Sequence, residues 1–387
     1  MKHYAVCPFC MRDELVRHLA ARGKDRLACF LCGTKRGPRV RTDQPKFIRG
    51  CKAAIRFHYS EWNYHTRIGG DPLESLLSED DNPLFRYAKR IDASAREEFV
   101  LSFLEPAFEN QRRLSLITAP GRQILEHRPK PAIATQPHPL LERMGTELRS
   151  KNYFAVERVF YPKVSQIARF VDHRIRRHTQ FHRARIGAQI DAWNFSHDMQ
   201  IVTPFYTPWK DIDLGAPPVA KANVGRMNRA GVSFLYLASD ADTAVREIRP
   251  HPGEVVSLGR FATNRSLRIA DFTLHPRSKL YENDEQLDLL HLIVAIDRTF
   301  ATAAPPSDRT LYSVTQLLSD MIRQMGFQGV GFRSTVGDGY NLVVFEPDLF
   351  RWVPDSARVE VVDGLKYDYH PGQLFDPDKH YDRPRQM

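Results

Sequence analysis

No run of apolar residues in this chain approaches the roughly 18 needed to cross a bilayer, so a membrane-spanning helix is not expected. The opening MKHYAVCPFC has no uninterrupted apolar core before polar residues resume, which argues against a secretory signal and makes the cytoplasm the default compartment. No internal repeat is present. Cysteine is scarce, at five in 387 residues, and disulfides are not expected in a cytoplasmic chain. The apolar fraction of 42% is too high for a disordered chain, and 387 residues exceed one ordinary domain.

Four of the five cysteines are paired as CPFC (Cys7, Cys10) and CFLC (Cys29, Cys32), with 18 residues between the pairs. Each C-x-x-C turn aims two sulfurs at one point, and two such turns at this separation fit a four-thiolate zinc site. With all four positions filled by protein sulfur, the Zn²⁺ would be structural. The fifth, Cys51, reads as a buried inert thiol. The chain carries a formal charge of +10, and residues 1–50 hold 12 Lys and Arg against 4 Asp and Glu. This basic concentration would either attract nucleic acid or another polyanion, or simply solvate a small module.

Residues 1–37 read as a zinc ribbon and 47–180 as a mainly helical domain. Helical spacing is expected in FIRGCKAAIRFHYSEWNYH, PLFRYAKRI, SAREEFVLSFLEPAF, LLERMGTELRSK and VSQIARFVDHRIRRH, with a proline-rich break at 129–139. From residue 183 the texture changes. Short β-rich runs (GVSFLYLA, GEVVSLGRFA, SLRIADFT, QGVGFRS, NLVVFEP) alternate with helical ones (ADTAVREI, DEQLDLLHLIVAIDRTF, VTQLLSDMIRQMG), the last capped by Gly326. Residues 183–360 therefore form an α+β domain, and 361–387 a polar tail.

Within it, GRMNRAG is a loop by its glycines and asparagine and presents Arg226. VSFLYLA is a strand ending near Tyr236, and Asp240 caps a helix that carries Glu247. Ser334 stands where a later strand ends and Asn341 where the next begins. By residue type alone, Glu247 reads as a solvated helix face, Tyr236 as core and Ser334 as a turn residue.

Together these segments resemble the RES domain, named for its arginine, glutamate and serine. The resemblance rests on GRMN at 225–228, YLASD at 236–240, TAVRE at 243–247, YSVTQLLSD at 312–320, and GFQGVGFRS followed by NLVVF. The helical region before it is similar to the HEPN-like domain that precedes RES in some longer members. The resemblance implies a fold similar to ADP-ribosyltransferase toxins, NAD⁺ as substrate, and glycohydrolase, phosphorylase or ADP-ribosyltransferase activity. It also implies an antitoxin protein as partner. Arg226, Tyr236, Glu247 and Ser334 would then be catalytic, with Arg226, Tyr236, Asn341 and Arg185 contacting the dinucleotide. Arg183 and Arg185, in HRARIG, match the start of the pattern.

Two other readings compete. RHTQFH sets Arg177 and His182 at the R-x4-H spacing of HEPN ribonucleases, where the histidine would act as a general base. Alternatively, the ribbon binds nucleic acid and the RES-like domain is inactive.

Overall fold

The computed structural model describes residues 3–66, 69–104, 116, 129–195, 202–273, 280–281, 283–302 and 311–366. In chain order, the amino-terminal part contains β1 (Ala5–Val6), α1 (Glu14–Ala21), β2 (Val40–Arg41), α2 (Pro45–His58), α3 (Glu61–Tyr64), α4 (Leu73–Ser78) and α5 (Ala93–Leu104). Then come α6 (Pro139–Leu148), α7 (Tyr153–Val164), α8 (Ala168–Val171), β3 (Asp172–Ile175), β4 (Gln180–Ile186), β5 (Gln189–Phe195) and β6 (Val202–Thr207). The remainder is β7 (Leu235–Ala238), α9 (Ala241–Glu247), β8 (Val255–Thr263), β9 (Leu267–Asp271), α10 (Asp284–Ala301), α11 (Leu311–Gln324), β10 (Gly329–Arg333), β11 (Tyr340–Val344), β12 (Phe350–Trp352) and β13 (Arg358–Val361).

The main sheet runs β12-β8-β4-β7-β11-β10-β9-β3, with β13 also paired to β8. Its ladders are antiparallel except β9–β10. Alternation along β7 and β11 divides their side chains between two cores. Leu235, Leu237, Leu342 and Val344 face one core, whereas Tyr236 and Val343 face the core under α10 and α11. A third, small cluster of Ala184, Ala238, Ala244, Val256 and Leu258 seats α9 on the sheet. This is the expected mixed α+β architecture. Gly326 follows α11 at φ +81°, the left-handed conformation that ends a helix at little cost to glycine.

The cores do not follow the ranges 1–37 and 47–180. The cysteine module shares one core with α2 and α5, through Cys7, Cys10 and Leu31 against Phe47, Cys51, Phe85, Phe99 and Phe103. Helices α6 and α7 instead share the core of the sheet, through Leu141, Met144, Val156 and Phe160 against α10 and α11.

Two helical expectations are corrected. PLFRYAKRI contains no helix. Its backbone bridges to the first cysteine knuckle instead, with Arg12 N–H donating to Leu84 O and Arg86 N–H to Cys10 O. Asn82 tethers the turn by accepting from the Leu84 and Phe85 amides. The second is VSQIARFVDHRIRRH, where the helix stops at Val171 and Asp172–Ile175 becomes the edge strand β3, antiparallel to β9. There the partner strand outweighs local helical spacing. The tail expected at 361–387 lies outside the described residues from 367 onward.

Candidate active site

The loop after residue 221 is tied down by its own polar groups. Asn228 Nδ2 donates to the carbonyls of Asn223, Arg229 and Val232. Gln316, on α11, donates to Gly225 O and Asn228 O. Gly225 has no spare room, since a Cβ there would lie 2.2 Å from Asn228 Oδ1. The buried Tyr236 hydroxyl closes the loop: it accepts from Met227 N–H at 3.2 Å and donates to Asn228 Oδ1 at 2.8 Å. Burial pushes that phenol up to about 12, so it stays protonated and remains a donor.

Arg226 is set by this loop. Its Nη1 donates to Phe300 O at 2.7 Å and to Ala301 O at 3.3 Å. These are carbonyls of the last turn of α10, which lack intrahelical partners and carry the negative end of the dipole. Arg226 thus caps α10 with one nitrogen and lines a cleft with the rest of its fork.

On the opposite wall, Asp240 caps α9 by accepting from Thr243 N–H, and Glu247 ends that helix. Glu247 Oε1 accepts from Ser334 Oγ at 2.7 Å and from Asn341 Nδ2 at 2.6 Å. Ser334 Oγ in turn accepts from the amides of Val336 and Gly337, so the turn after β10 orients the serine. Gly339 lets that turn close on α9, since a Cβ there would fall 2.0 Å from Asp240 Oδ2. Among the described residues no protein donor reaches Glu247 Oε2. One carboxylate oxygen is therefore anchored by two donors, and the other has no protein donor among the described residues.

The cleft has a volume of about 360 Å³. Arg226, Tyr236, Glu247 and Asn341 line it, and Ser334 joins through its bond to Glu247. Arg185 lies outside. It donates to Asp213 O and sits 5.6 Å over the Trp209 ring. Its neighbour Arg183 lines the cleft, donating from Nε to Leu214 O and from Nη1 to Tyr236 O. Burial, with Arg185 nearby, lowers Arg183 to about 10, so it remains a cation. His182 and Tyr312 also line the wall. Burial and the cations Arg260 and Arg358 lower the His182 pKa, so it is neutral near pH 7.

The ribonuclease spacing is corrected here. Arg177 lies in the turn between β3 and β4 and His182 on strand β4, so no helical turn brings the pair together. Arg183 was legible only as part of HRARIG. Tyr312 carried no signal of its own beyond YSVTQ.

In the separate amino-terminal core, the sulfurs of Cys7, Cys10, Cys29 and Cys32 lie within 4.8 Å of one another. Neighbouring Sγ atoms are 3.6 Å (Cys7–Cys10), 3.8 Å (Cys7–Cys32) and 4.0 Å (Cys10–Cys29) apart. A tetrahedron of Zn–S bonds of about 2.3 Å requires S···S of about 3.8 Å, so the residues fit such an ion. Burial and the neighbouring Cys29 push the Cys7 thiol up to about 11, whereas hydrogen bonding from Cys10 lowers Cys29 to about 5. A divalent cation on these sulfurs would displace the thiol protons and offset the repulsion among the thiolates so formed.

No curated protein matches this chain. Among solved structures, the crystal structure of the M. tuberculosis MbcT-MbcA toxin-antitoxin complex contains a chain that matches at 13% identity and a TM-score of 0.30. That match covers 51% of this chain and 91% of the other. The family model of the RES domain matches residues 198–366, a stretch that contains Arg226, Tyr236, Glu247, Ser334 and Asn341. Residues 198–366 thus carry the RES domain, and they supply the lining of the cleft around Glu247 apart from His182, Arg183 and Ala184, which precede the match.

Proposed function

We propose that the protein consumes NAD⁺ by cleaving the bond between nicotinamide and ribose. The observation that carries this reading is the half-anchored carboxylate: Glu247, fixed through Oε1 by Ser334 and Asn341, in a cleft that also holds Arg226 and Arg183. When the C1′–N bond breaks, its electron pair leaves with nicotinamide and the ribose gains oxocarbenium character. A carboxylate already oriented and partly desolvated stabilises that charge without reorganising. The open Oε2 can also accept a proton from an incoming hydroxyl as the new C1′–O bond forms. The arginines supply the countercharge that a pyrophosphate needs.

The acceptor is water, phosphate or a protein side chain, and the same cleft serves each. Incubation of the purified protein with NAD⁺, with and without inorganic phosphate, tests the reading. Release of nicotinamide with ADP-ribose, or with its 1″-phosphate, supports it, and intact NAD⁺ refutes it. We include two further components in the proposal: a structural Zn²⁺ on the four cysteines, and an antitoxin partner on the strength of the domain's resemblance.

A further inference from the structure

A second cavity of about 380 Å³ adjoins the cleft and shares two wall residues with it, Arg226 and Tyr312. Its far wall is not part of the RES match. Leu141, Glu142, Gly145, Thr146 and Arg149 come from α6 and the residue just after it, and recur at the spacing of one helical face. The near wall is the carboxyl end of α10 and the start of α11. Helix α6 is held there by its apolar side: Leu141 and Met144 are buried in the core that α10 and α11 share.

We infer that this cavity takes the adenylate half of the dinucleotide, resting on the reading of the cleft as an NAD⁺ site. NAD⁺ is two nucleotides joined by a pyrophosphate, and the protein offers two chambers joined at an arginine. With its Nη1 on the α10 carbonyls, Arg226 holds the rest of its guanidinium at that junction. The outer chamber has the chemistry of an adenosine pocket. Leu141, Gly145 and Val314 give apolar surface for a base. Glu142 is a carboxylate able to accept from the ribose diol, and Arg149 is a cation able to meet a phosphate oxygen. Neither charged group has a protein partner among the described residues. The helical segment would thereby set the specificity of the site for the whole dinucleotide.

The test compares kcat/KM for NAD⁺ with that for nicotinamide mononucleotide, which carries the same scissile bond without adenylate. The wild-type chain should favour NAD⁺. Thr146→Trp fills the outer chamber, and Arg149→Ala removes a cation from the surface without touching the core. Both should shrink the NAD⁺ to mononucleotide ratio by about tenfold, the effect of losing one good contact. Equal preference in the wild type, or a ratio that both variants leave at the wild-type value, overturns the inference while NAD⁺ cleavage stands. A wild-type chain that cleaves neither compound overturns the proposed function itself.

Discussion

Tyr236 illustrates how one atom's surroundings decide a residue's role. By residue type Tyr236 reads as core, and the resemblance makes it a catalytic residue that contacts the dinucleotide. The hydroxyl, however, holds the loop that carries Arg226, through Met227 and Asn228. Tyr236→Phe should therefore not be silent. It leaves Asn228 Oδ1 without its donor, and the loss should cost about 1–3 kcal/mol of stability as well as displacing Arg226. Denaturant titration reads the first effect and KM for NAD⁺ the second; a variant equal to wild type in both would show that the hydroxyl is idle. Glu247, Ser334 and Asn341 were legible because their order along the chain matched a known pattern. Their mutual bonds were not legible, since nothing in the spacing says that a serine 87 positions later points at one particular oxygen. Arg185 and Arg183 lie two positions apart, and only the surroundings of strand β4 separate the one that lines the cleft from the one beside Trp209.

Helix α10 is mostly buried, and it carries polar groups inward at a few points. His291 is one: its ring meets His138 edge-on at 4.8 Å and bonds Gln136 O at 3.0 Å. Burial lowers its pKa from 6.5 to about 4. Below pH 6.5 the unfolded chain takes up a proton that the folded chain refuses, so acid costs stability across that window. The loss should approach roughly 3 kcal/mol by pH 4. His291→Gln keeps a donor for Gln136 O and removes the titration. Stability measured against pH should be flatter in this variant between 6.5 and 4, and an unchanged slope would contradict the assignment. At this scale the long apolar or amphipathic runs were legible, α10, α11, β8 and β11 among them. The misreadings fell on short segments. Asp172–Ile175 has helical spacing but joins β9, and Leu84–Arg86 is tied to the cysteine knuckle by backbone bonds that the sequence does not signal.

On the scale of the molecule, the four cysteines stand at one end and the cleft at another part of the chain, in different hydrophobic cores. The two regions are bridged by α2, whose Arg56 pairs with Asp284 at the start of α10 at 3.1 Å. Metal removal should therefore act on stability before catalysis. Chelation, or Cys29→Ser, should lower the melting temperature of the unit formed by α1, α2 and α5. NAD⁺ cleavage by the remaining folded protein should persist. A metal-free chain with an unaltered melting profile would mean that these sulfurs hold no structural ion. The sequence disclosed the cysteine cluster and the α+β class, but not how the cores divide. That division depends on which helix covers which face, and α6 and α7 pack with α10 and α11 and not with α2 and α5.

One carboxylate, Glu247, carries the proposed chemistry. Glu247→Gln preserves size and removes the charge that would meet an oxocarbenium-like ribose. The amide can still accept from Ser334 and Asn341, so the fold should survive, as circular dichroism can check. The decisive measurement is NAD⁺ consumption by that folded variant. We predict a fall in kcat of about two or more orders of magnitude, with KM little changed. Turnover at the wild-type rate would contradict the assignment of this cleft as the place where NAD⁺ is cleaved.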